Sequence, residues 1–541
     1  MCIRDRMKGS PHVLFPVGKE GGRLRCFQAA LEAKKVTSDF PIYECEKCKL
    51  TTIYPFCEQC NSKTTPRRVC PVCKKITKEE KCHRTTTRYR TIALDIMKYF
   101  TNAKNRLKLN KIPDLVKGVR GTSNKYHIPE YLGKGLLRAQ HNLYVNKDGT
   151  IRYDLSELPL THFKPSEIGL TVEKAKELGY KKDIYGKELV SDEQVLEMFP
   201  QDVILPACPD SEEEGADQIL LRTSQFVDDE LKYLYNKSPF YKATKPRDLI
   251  GCLLIGLAPH TSAGIVGRLI GFSKVVCIYA HPYFHSAMRR DCDGEETSII
   301  LLLDAFLNFS RQYLPDHRGG RTMDAPLVLS TVLNPSEIDD ECYFINTCWE
   351  YPLEFYEAAK QFKNPWDIKI EQVKDRLGKQ EQYEGIGFTH SVSNINKGVR
   401  VSAYKSIPTM QEKVDGQIDL ARKIRAVDLP GTASLIIEKH FLRDIKGNLR
   451  KFTKQGFRCV NCNAKYRRPP LSGTCSECNK GKLVFTIAEG SVKKYLEHSL
   501  NLVNFDGVSP YLKQSMELLK ERVESVFGTE KTKQLGLGAF T

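Results

Sequence analysis

Short apolar runs alternate with polar loops between residues 249 and 333, and this is the clearest hydrophobic pattern in the chain. The run Leu249–Leu257 is almost wholly apolar, and Val275–Tyr279 has the length and composition of a buried strand. After the second run, apolar residues recur at helical spacing, which predicts one helix from Glu296 to Leu314. A further strand is predicted over Ala325–Leu333. The densest predicted core therefore lies in this part of the chain.

The flanking regions carry weaker patterns. The predicted elements there are a strand at Val13–Val17, helices at Cys26–Lys34, Thr91–Leu109, Ser191–Met198 and Asp228–Tyr235, and short strands within Gly133–Tyr153 around the Asn146-Lys-Asp-Gly149 turn. The C-terminal helix has the strongest boundary signals, with Ser509 as N-cap, Pro510 at the first position and Gly528 at the end. One face of this helix is predicted to consist of Leu512, Leu519, Val523 and Val526.

Length and charge narrow the class of protein. A chain of 541 residues is long enough for three or four domains with a substantial core. Its formal net charge of +17 favours an acidic polymer as partner. No apolar run reaches the length of a membrane span, so no membrane partner is expected. The opening residues 1–6 lack the apolar core of a signal peptide and resemble a translated adapter scar.

Cysteine spacing predicts zinc rather than disulfides. Eleven of the nineteen cysteines fall in paired clusters, and the long chain has no secretory signal, so a reducing cytoplasm is expected. Two clusters have four thiolates for a tetrahedral ion, namely Cys45, Cys48, Cys57 and Cys60, and Cys459, Cys462, Cys475 and Cys478. A third cluster, Cys70, Cys73 and Cys82, lacks its last thiolate, and His83 is the nearest replacement.

The acidic segment Asp291-Cys-Asp-Gly-Glu-Glu296 is the strongest candidate for catalytic chemistry. Asp291, Asp293 and Glu295 recur at every second position, which turns their side chains to one side of an extended or looped backbone. Hard carboxylate oxygens suit Mg²⁺ or Mn²⁺. The alternative is a solvated helix start, where acids are stabilised by the helix dipole.

Basic residues and histidines on both sides of this segment in the sequence are further candidate site residues. Arg289, Arg290, Arg318, Arg321 and Lys405 are candidates for phosphate contacts. Two roles remain open for His281 and His285: they are either metal ligands or core or substrate-lining residues.

Several segments together resemble the large catalytic subunit of the archaeal family D DNA polymerase. They are Ala258-Pro-His-Thr-Ser-Ala-Gly264, Ala280-His-Pro-Tyr-Phe-His285, Arg289-Arg-Asp-Cys-Asp-Gly-Glu295, Leu302-Leu-Asp-Ala-Phe-Leu-Asn-Phe-Ser310, Met323-Asp-Ala-Pro-Leu327, Gly387-Phe-Thr-His390, Ala421-Arg-Lys-Ile-Arg-Ala-Val427 and Cys459 to Pro470. The resemblance implies a mixed α/β multidomain protein whose core is a pair of double-psi β-barrels, as in RNA polymerases. It also implies that the chain is a C-terminal piece of a longer subunit.

The resemblance further implies a DNA-directed DNA polymerase in the archaeal cytoplasm, with primer-template DNA and dNTPs as substrates. Asp291, Asp293 and Glu295 would hold the Mg²⁺ or Mn²⁺ of a two-metal nucleotidyl transfer. The family motif usually reads Asn-Cys-Asp-Gly-Asp, so Asp291 and Glu295 depart from it. The implied partners are a small subunit with 3′–5′ exonuclease activity and a sliding clamp, which would bind the tail through Gln534, Leu537 and Phe540.

The predicted domains follow from these assignments. They are the scar at 1–6, the end of a first barrel at 7–40, a tandem zinc module at 41–90, a connecting α/β domain at 91–245, a second barrel at 246–455, a zinc ribbon at 456–490, a helical segment at 491–530 and the clamp-binding tail at 531–541. Two other functions remain open at this stage. One is an RNA-polymerase-like nucleotidyltransferase, and the other is a noncatalytic zinc-bearing scaffold that binds DNA.

Overall fold

The computed structural model describes residues 10–109, 111–121, 127–259, 261–313, 327–402 and 406–528. The chain forms two compact units, Met1–Val401 and Ser402–Thr541. Their boundary lies inside the segment 246–455 that the sequence assigns to the second barrel. Among the described residues, no helix is both long enough and apolar enough to cross a membrane.

The first part of unit one is a small α/β region built on a long hairpin. Its elements are α1 (Phe27–Glu32), β1 (Lys35–Pro41), β2 (Tyr43–Glu44), β3 (Thr51–Thr52), β4 (Thr65–Pro66), β5 (Arg68–Val69), β6 (Ile76–Thr77), β7 (Tyr89–Asp95), α2 (Ile96–Leu107) and α3 (Leu132–Gln140). Strands β1 and β7 pair antiparallel from Lys35↔Asp95 to Pro41↔Tyr89. The residues between them, with the first two cysteine clusters, therefore project from a paired stem.

Two sequence predictions fail in this region. The predicted helix Thr91–Leu109 begins only at Ile96, because pairing with β1 holds the preceding residues in a strand. Asp95 ends that strand and caps α2 by accepting the amide hydrogen of Met97. The short strands predicted within Gly133–Tyr153 do not form, because Leu132–Gln140 is helix α3 and the next strand begins only at Tyr153. Gly135 permits close packing of α3, since a Cβ there would lie 1.8 Å from Val13 Cγ1.

The second part of unit one contains the largest sheet. Its elements are β8 (Tyr153–Pro159), β9 (His162–Phe163), α4 (Val172–Glu177), β10 (Leu196–Glu197), β11 (Asp202–Pro206), α5 (Ala216–Tyr233), β12 (Leu253–Leu257), β13 (Ala263–Ser273), β14 (Cys277–Ala280), α6 (Pro282–Ala287), β15 (Glu296–Leu301), α7 (Leu302–Asn308), β16 (Val328–Ser330), α8 (Leu353–Lys360) and α9 (Val373–Arg376). Short 3₁₀ turns occupy Pro165–Ile168, Pro246–Leu249, Arg311–Tyr313, Asp340–Phe344, Pro365–Asp367 and Gln380–Tyr383.

The strands of this sheet close on themselves. Their order is β11-β14-β8-β15-β12-β13-β16, and β11 also pairs with β13, so six strands form a ring with β16 attached outside it. The pairs β8–β14 and β11–β13 are parallel, and the other pairs of the ring are antiparallel. A buried cluster fills the region, including Leu155, Leu205, Leu254, Ile278 and Ile299. The mixed α/β class predicted from the sequence is confirmed.

The helix predicted over Glu296–Leu314 is wrong in its first half. Glu296–Leu301 is strand β15, which pairs with β8 on one side and β12 on the other. The helix starts at Leu302 and ends at Asn308. All residues from Thr297 to Leu301 are buried, as expected for a strand paired on both edges inside a closed sheet.

Two further predictions of helices have different outcomes. Ser191–Met198 contains turns and strand β10 instead of a helix. Asp228–Tyr235 is largely helical, as the end of the longer helix α5.

Unit two is mostly helical. Its elements are α10 (Met410–Lys423), α11 (Leu429–Ile436), a π-helical turn (Ile437–Phe441), α12 (Leu442–Lys454), β17 (Phe457–Cys459), β18 (Lys465–Tyr466), β19 (Leu483–Phe485), α13 (Glu489–Lys493), α14 (Leu496–Leu502) and α15 (Pro510–Phe527). The C-terminal helix begins and ends where the sequence predicts. Its predicted apolar face is buried at Leu512, Leu519 and Val523, whereas Val526 is 44% exposed.

Candidate metal centre

Three cysteine-rich groups each bring four ligand atoms within 4.8 Å of one another. Their members are Cys45, Cys48, Cys57 and Cys60; Cys70, Cys73, Cys82 and His83; and Cys459, Cys462, Cys475 and Cys478. The Sγ–Sγ distance is 3.5 Å for Cys45 and Cys60, and 3.4 Å for Cys462 and Cys475. Thiolates at about 2.3 Å from a tetrahedral zinc ion lie about 3.8 Å apart. The ligand sets therefore suit zinc.

A shared backbone turn explains why the paired cysteines converge. The residue after the second cysteine of five pairs has a left-handed conformation, with φ between 52° and 63°. These residues are Lys49, Asn61, Lys74, Asn463 and Asn479. Amide hydrogens inside the turn also point at sulfur, since Cys48 N lies 3.4 Å from Cys45 Sγ. The local sequence thus folds each pair into a metal-binding turn.

The middle group is completed by His83. Its Nδ1 lies 3.2 Å from Cys82 Sγ and 3.8 Å from Cys70 Sγ, although Cys82 and His83 are adjacent in the chain. Cys73, Cys82 and His83 are all exposed, whereas Cys45 and Cys57 of the first group are buried. The middle group is therefore the most accessible of the three.

The acidic segment forms a tight loop between α6 and β15. Three residues of the loop have left-handed backbone conformations: Arg289 at φ 61°, Cys292 at φ 63° and Gly294 at φ 101°. The glycine value is one that side-chain-bearing residues rarely adopt. Because strand β15 follows the loop, the alternative that these acids stabilise a helix start does not apply.

Two of the three predicted metal ligands come together, and they meet a carboxylate that the sequence did not indicate. Asp293, Glu295 and Glu157 of strand β8 each place a carboxylate oxygen within 4.8 Å of the others. Asp291 lies outside this group. Its carboxylate faces Glu341, and this hydrogen bond raises the pKa of the Glu341 carboxyl. Hard oxygen donors of this kind fit Mg²⁺ or Mn²⁺.

The two predicted phosphate-binding arginines of the loop are engaged in ion pairs. Arg290 Nη1 lies 2.9 Å from Glu295 Oε2, so it partly neutralises a predicted metal ligand. Arg289 Nη1 lies 3.1 Å from Asp339 Oδ2, and its side chain is largely exposed. Both arginines remain near the acidic loop.

The two histidines of α6 are buried and have separate partners. His281 caps the helix, because its Nδ1 accepts the amide hydrogen of Tyr283 at 3.1 Å. Burial lowers the pKa of His281 to about 3, so the ring is neutral. His285 lies against the acidic group, with Nδ1 2.9 Å from Glu157 Oε2.

Several predicted site residues lie outside the described part of the chain. They are Arg318, Arg321, Lys405, Gln534, Leu537 and Phe540. Their assignments stay predictions.

Glu157 was missed because it lies far from the acidic segment in sequence and is brought there by strand pairing. Its one sequence signal is a carboxylate at an inward position of a strand, between Leu155 and Pro159.

Comparison with known proteins places these features in a family. Residues 109–413 match the family described as DNA polymerase II large subunit DP2, catalytic domain, and residues 3–79 match the central domain of the same subunit. The acidic loop and the six-stranded ring lie inside the first match.

Curated relatives named DNA polymerase II large subunit are similar along nearly the whole chain. The relative from Nanoarchaeum equitans is 46% identical over 97% of this chain, and that from Archaeoglobus fulgidus is 46% identical over 99%. The relative from Pyrococcus furiosus is 46% identical over 96% of this chain. The chain spans 46%, 47% and 42% of the length of these three proteins, respectively. The chain belongs to the DNA polymerase II large-subunit family.

Proposed function

We propose that this chain carries the nucleotidyl-transfer centre of a DNA-directed DNA polymerase. The observation that carries the proposal is the convergence of Asp293 and Glu295 in the tight loop that precedes strand β15. The family match over residues 109–413 supports it. The closed six-stranded ring is the part of the fold that we assign to the second double-psi barrel.

The proposed reaction extends a primer on a DNA template. The primer 3′-oxygen attacks the α-phosphorus of a dNTP, a P–O bond forms, and the bond to pyrophosphate breaks. Bound Mg²⁺ or Mn²⁺ would lower the pKa of the 3′-hydroxyl and neutralise the leaving pyrophosphate. Asp293 and Glu295 hold the cations, with Asp291 as a further candidate ligand. Arg289 and Arg290 supply positive charge for the triphosphate, together with the predicted Arg318, Arg321 and Lys405.

The three cysteine-rich groups are proposed as structural zinc sites. Their ligand atoms are all supplied by protein side chains, four for each ion, which is typical of structural rather than catalytic zinc. Each site would fix a segment that has little apolar core of its own. A small exonuclease subunit and a sliding clamp complete the proposed assembly, and both follow from the family resemblance.

Primer extension tests this function. Because the chain spans under half of its relatives, we would insert it in place of the matching part of the Archaeoglobus fulgidus large subunit and add that organism's small subunit. Wild type would be compared with Asp293→Asn and with the exposed control Asp367→Asn. We expect Asp293→Asn alone to lose extension while primer-template binding persists.

Other outcomes would redirect the assignment. Equal extension by wild type and Asp293→Asn would remove catalysis from the loop and favour the scaffold function. Extension with ribonucleotides but not with deoxyribonucleotides would favour the RNA-polymerase-like function.

A further inference from the structure

The register of two neighbouring strands places a second carboxylate opposite the acidic loop. Strands β8 and β15 are antiparallel with Ser156 paired to Glu296. One step further along this ladder, Glu157 N donates a hydrogen bond to Glu295 O at 3.0 Å. Glu157 and Glu295 are therefore cross-strand neighbours. Like charges in such positions destabilise a sheet unless cations offset them, and Arg290 offsets the charge of Glu295 in part.

Glu157 is also buried without a matching donor. Its side chain is 0% exposed, and neither carboxylate oxygen accepts a hydrogen bond from a described residue. Burying a carboxylate in this condition is unfavourable, so buried carboxylates are normally paired or bound to metal. The ring of His285 lies beside this carboxylate, with Nδ1 2.9 Å from Glu157 Oε2.

His285 is fixed in a way that orients this carboxylate. Its Nε2 lies 3.0 Å from the carbonyl oxygen of Leu158, and its Nδ1 faces Glu157. The ring is fully buried, so it has little freedom to rotate. Metal-ligating side chains are commonly held by such a partner behind them. The contact of His285 Nδ1 with Glu157 Oε2 therefore limits the positions that this carboxylate can take.

We propose that Glu157 is a ligand of the divalent cation held by Asp293 and Glu295. This inference rests on the proposed function, because it adds a ligand to the same centre. The three carboxylate oxygens lie within 4.8 Å of one another, and oxygens on one Mg²⁺ at about 2.1 Å are roughly 3 to 4 Å apart. Small side-chain adjustments satisfy that geometry. The centre then draws its ligands from strand β8 as well as from the loop.

Binding of Mn²⁺ alone tests the proposal without requiring catalysis. Electron paramagnetic resonance would measure free Mn²⁺ during titration of the zinc-loaded chain, comparing wild type, Glu157→Gln, Asp293→Asn and Glu167→Gln. Glu167 is the matched control, because it is a buried carboxylate of the same unit that accepts the amide hydrogens of Lys164 and Ile395. We expect Glu157→Gln and Asp293→Asn each to weaken Mn²⁺ binding by about tenfold or more, and Glu167→Gln to leave it unchanged.

The outcomes separate this inference from the proposed function. Wild-type affinity in Glu157→Gln with loss in Asp293→Asn would overturn the role of Glu157 and leave the loop as the metal site. Wild-type affinity in both variants would overturn both assignments.

A second measurement covers the case in which Glu157→Gln does not fold. Crystals of the wild-type chain would be soaked in Mn²⁺ and the ion located by anomalous scattering. A Glu157 oxygen within about 2.3 Å of the ion supports the proposal, and a Glu157 carboxylate that does not touch the ion contradicts it.

Discussion

Arg290 donates a hydrogen bond from Nη1 to Glu295 Oε2 across 2.9 Å, so a cation of the chain contacts a predicted ligand of the metal. The arginine side chain is mostly buried, which limits screening of the pair by solvent. The positive charge of Arg290 opposes binding of a metal cation to the same Glu295 carboxylate. Arg290 is therefore expected to lower the affinity of the loop for metal ions.

Replacing Arg290 by alanine should tighten Mn²⁺ binding by roughly two- to fivefold, because a competing cation is removed from Glu295. Titration followed by electron paramagnetic resonance measures the change. Arg289→Ala is the control, since this exposed arginine pairs with Asp339 instead and should alter the affinity less. Weaker binding in Arg290→Ala would mean that the arginine mainly orders the loop.

The left-handed backbone of Gly294 should be needed for metal binding. A Cβ at this position meets nothing within 4 Å, so Gly294→Ala introduces strain through φ 101° and not through a clash. Such strain costs about 1 to 2 kcal/mol. A change in loop conformation that relieves the strain would move the carboxylates of Asp293 and Glu295 apart. We expect weaker Mn²⁺ binding at an almost unchanged thermal midpoint.

The control for Gly294 is Gly416→Ala in helix α10. This glycine also has open space around its Cβ position, but its backbone is helical. Alanine there should stabilise the helix slightly and leave Mn²⁺ binding unchanged. Equal Mn²⁺ affinity in Gly294→Ala and wild type would show that the loop tolerates another backbone conformation.

His83 should decide whether the middle cysteine group binds zinc. We expect three zinc ions per wild-type chain, one for each ligand group, and two in His83→Ala. Elemental analysis of dialysed protein gives this count directly. His440→Ala changes an exposed histidine outside the three groups and should retain all the zinc. Three zinc ions per chain in His83→Ala would mean that another residue or a water molecule is the fourth ligand of the middle group.

Asp304 should make stability depend on pH. Burial raises the pKa of this carboxyl from 3.8 to about 7 in the folded protein. The folded state therefore favours the protonated acid, and its stabilising effect is complete below pH 3.8 and is lost as pH rises toward about 7.

Thermal unfolding at pH 5 and pH 8 measures the effect of Asp304. We expect Asp304→Asn to reduce the difference in midpoint between the two values, because asparagine stays neutral throughout. Asp367→Asn, an exposed control, should keep the wild-type difference. An unchanged difference in Asp304→Asn would assign the pH dependence to other groups.

Local signals in the sequence were reliable where the chemistry itself is local. The cysteine pairs and the C-terminal helix depend on residues a few positions apart, and the structure brings those residues together as predicted. The helix predicted from Glu296 is wrong in its first half, because a short apolar segment suits a buried strand as well as a helix. The pairing of this segment with β8 and β12 decides the outcome, and that pairing cannot be read from the segment itself.

The acidic centre was predicted in part for the same reason. Asp293 and Glu295 share one loop, so their proximity follows from the sequence. Glu157 reaches them only through the register of β8 against β15. Asp291 is as close in sequence, but the left-handed turn at Cys292 directs it toward Glu341.

The paired stem of β1 and β7 has a consequence for how the chain accommodates its metal-binding insertion. Seven consecutive residue pairs hold the two ends of the insertion at strand spacing, so the loop is closed without any contribution from zinc. In the zinc-free protein, strands β1 and β7 should therefore stay paired, and order should be lost mainly in the residues between them. Ile53 and Tyr54 are exceptions, because both are buried in the core of the unit and the Tyr54 hydroxyl accepts the amide hydrogen of Leu132. Changes in length within residues 70–83 are thus tolerated more readily than changes around residue 54.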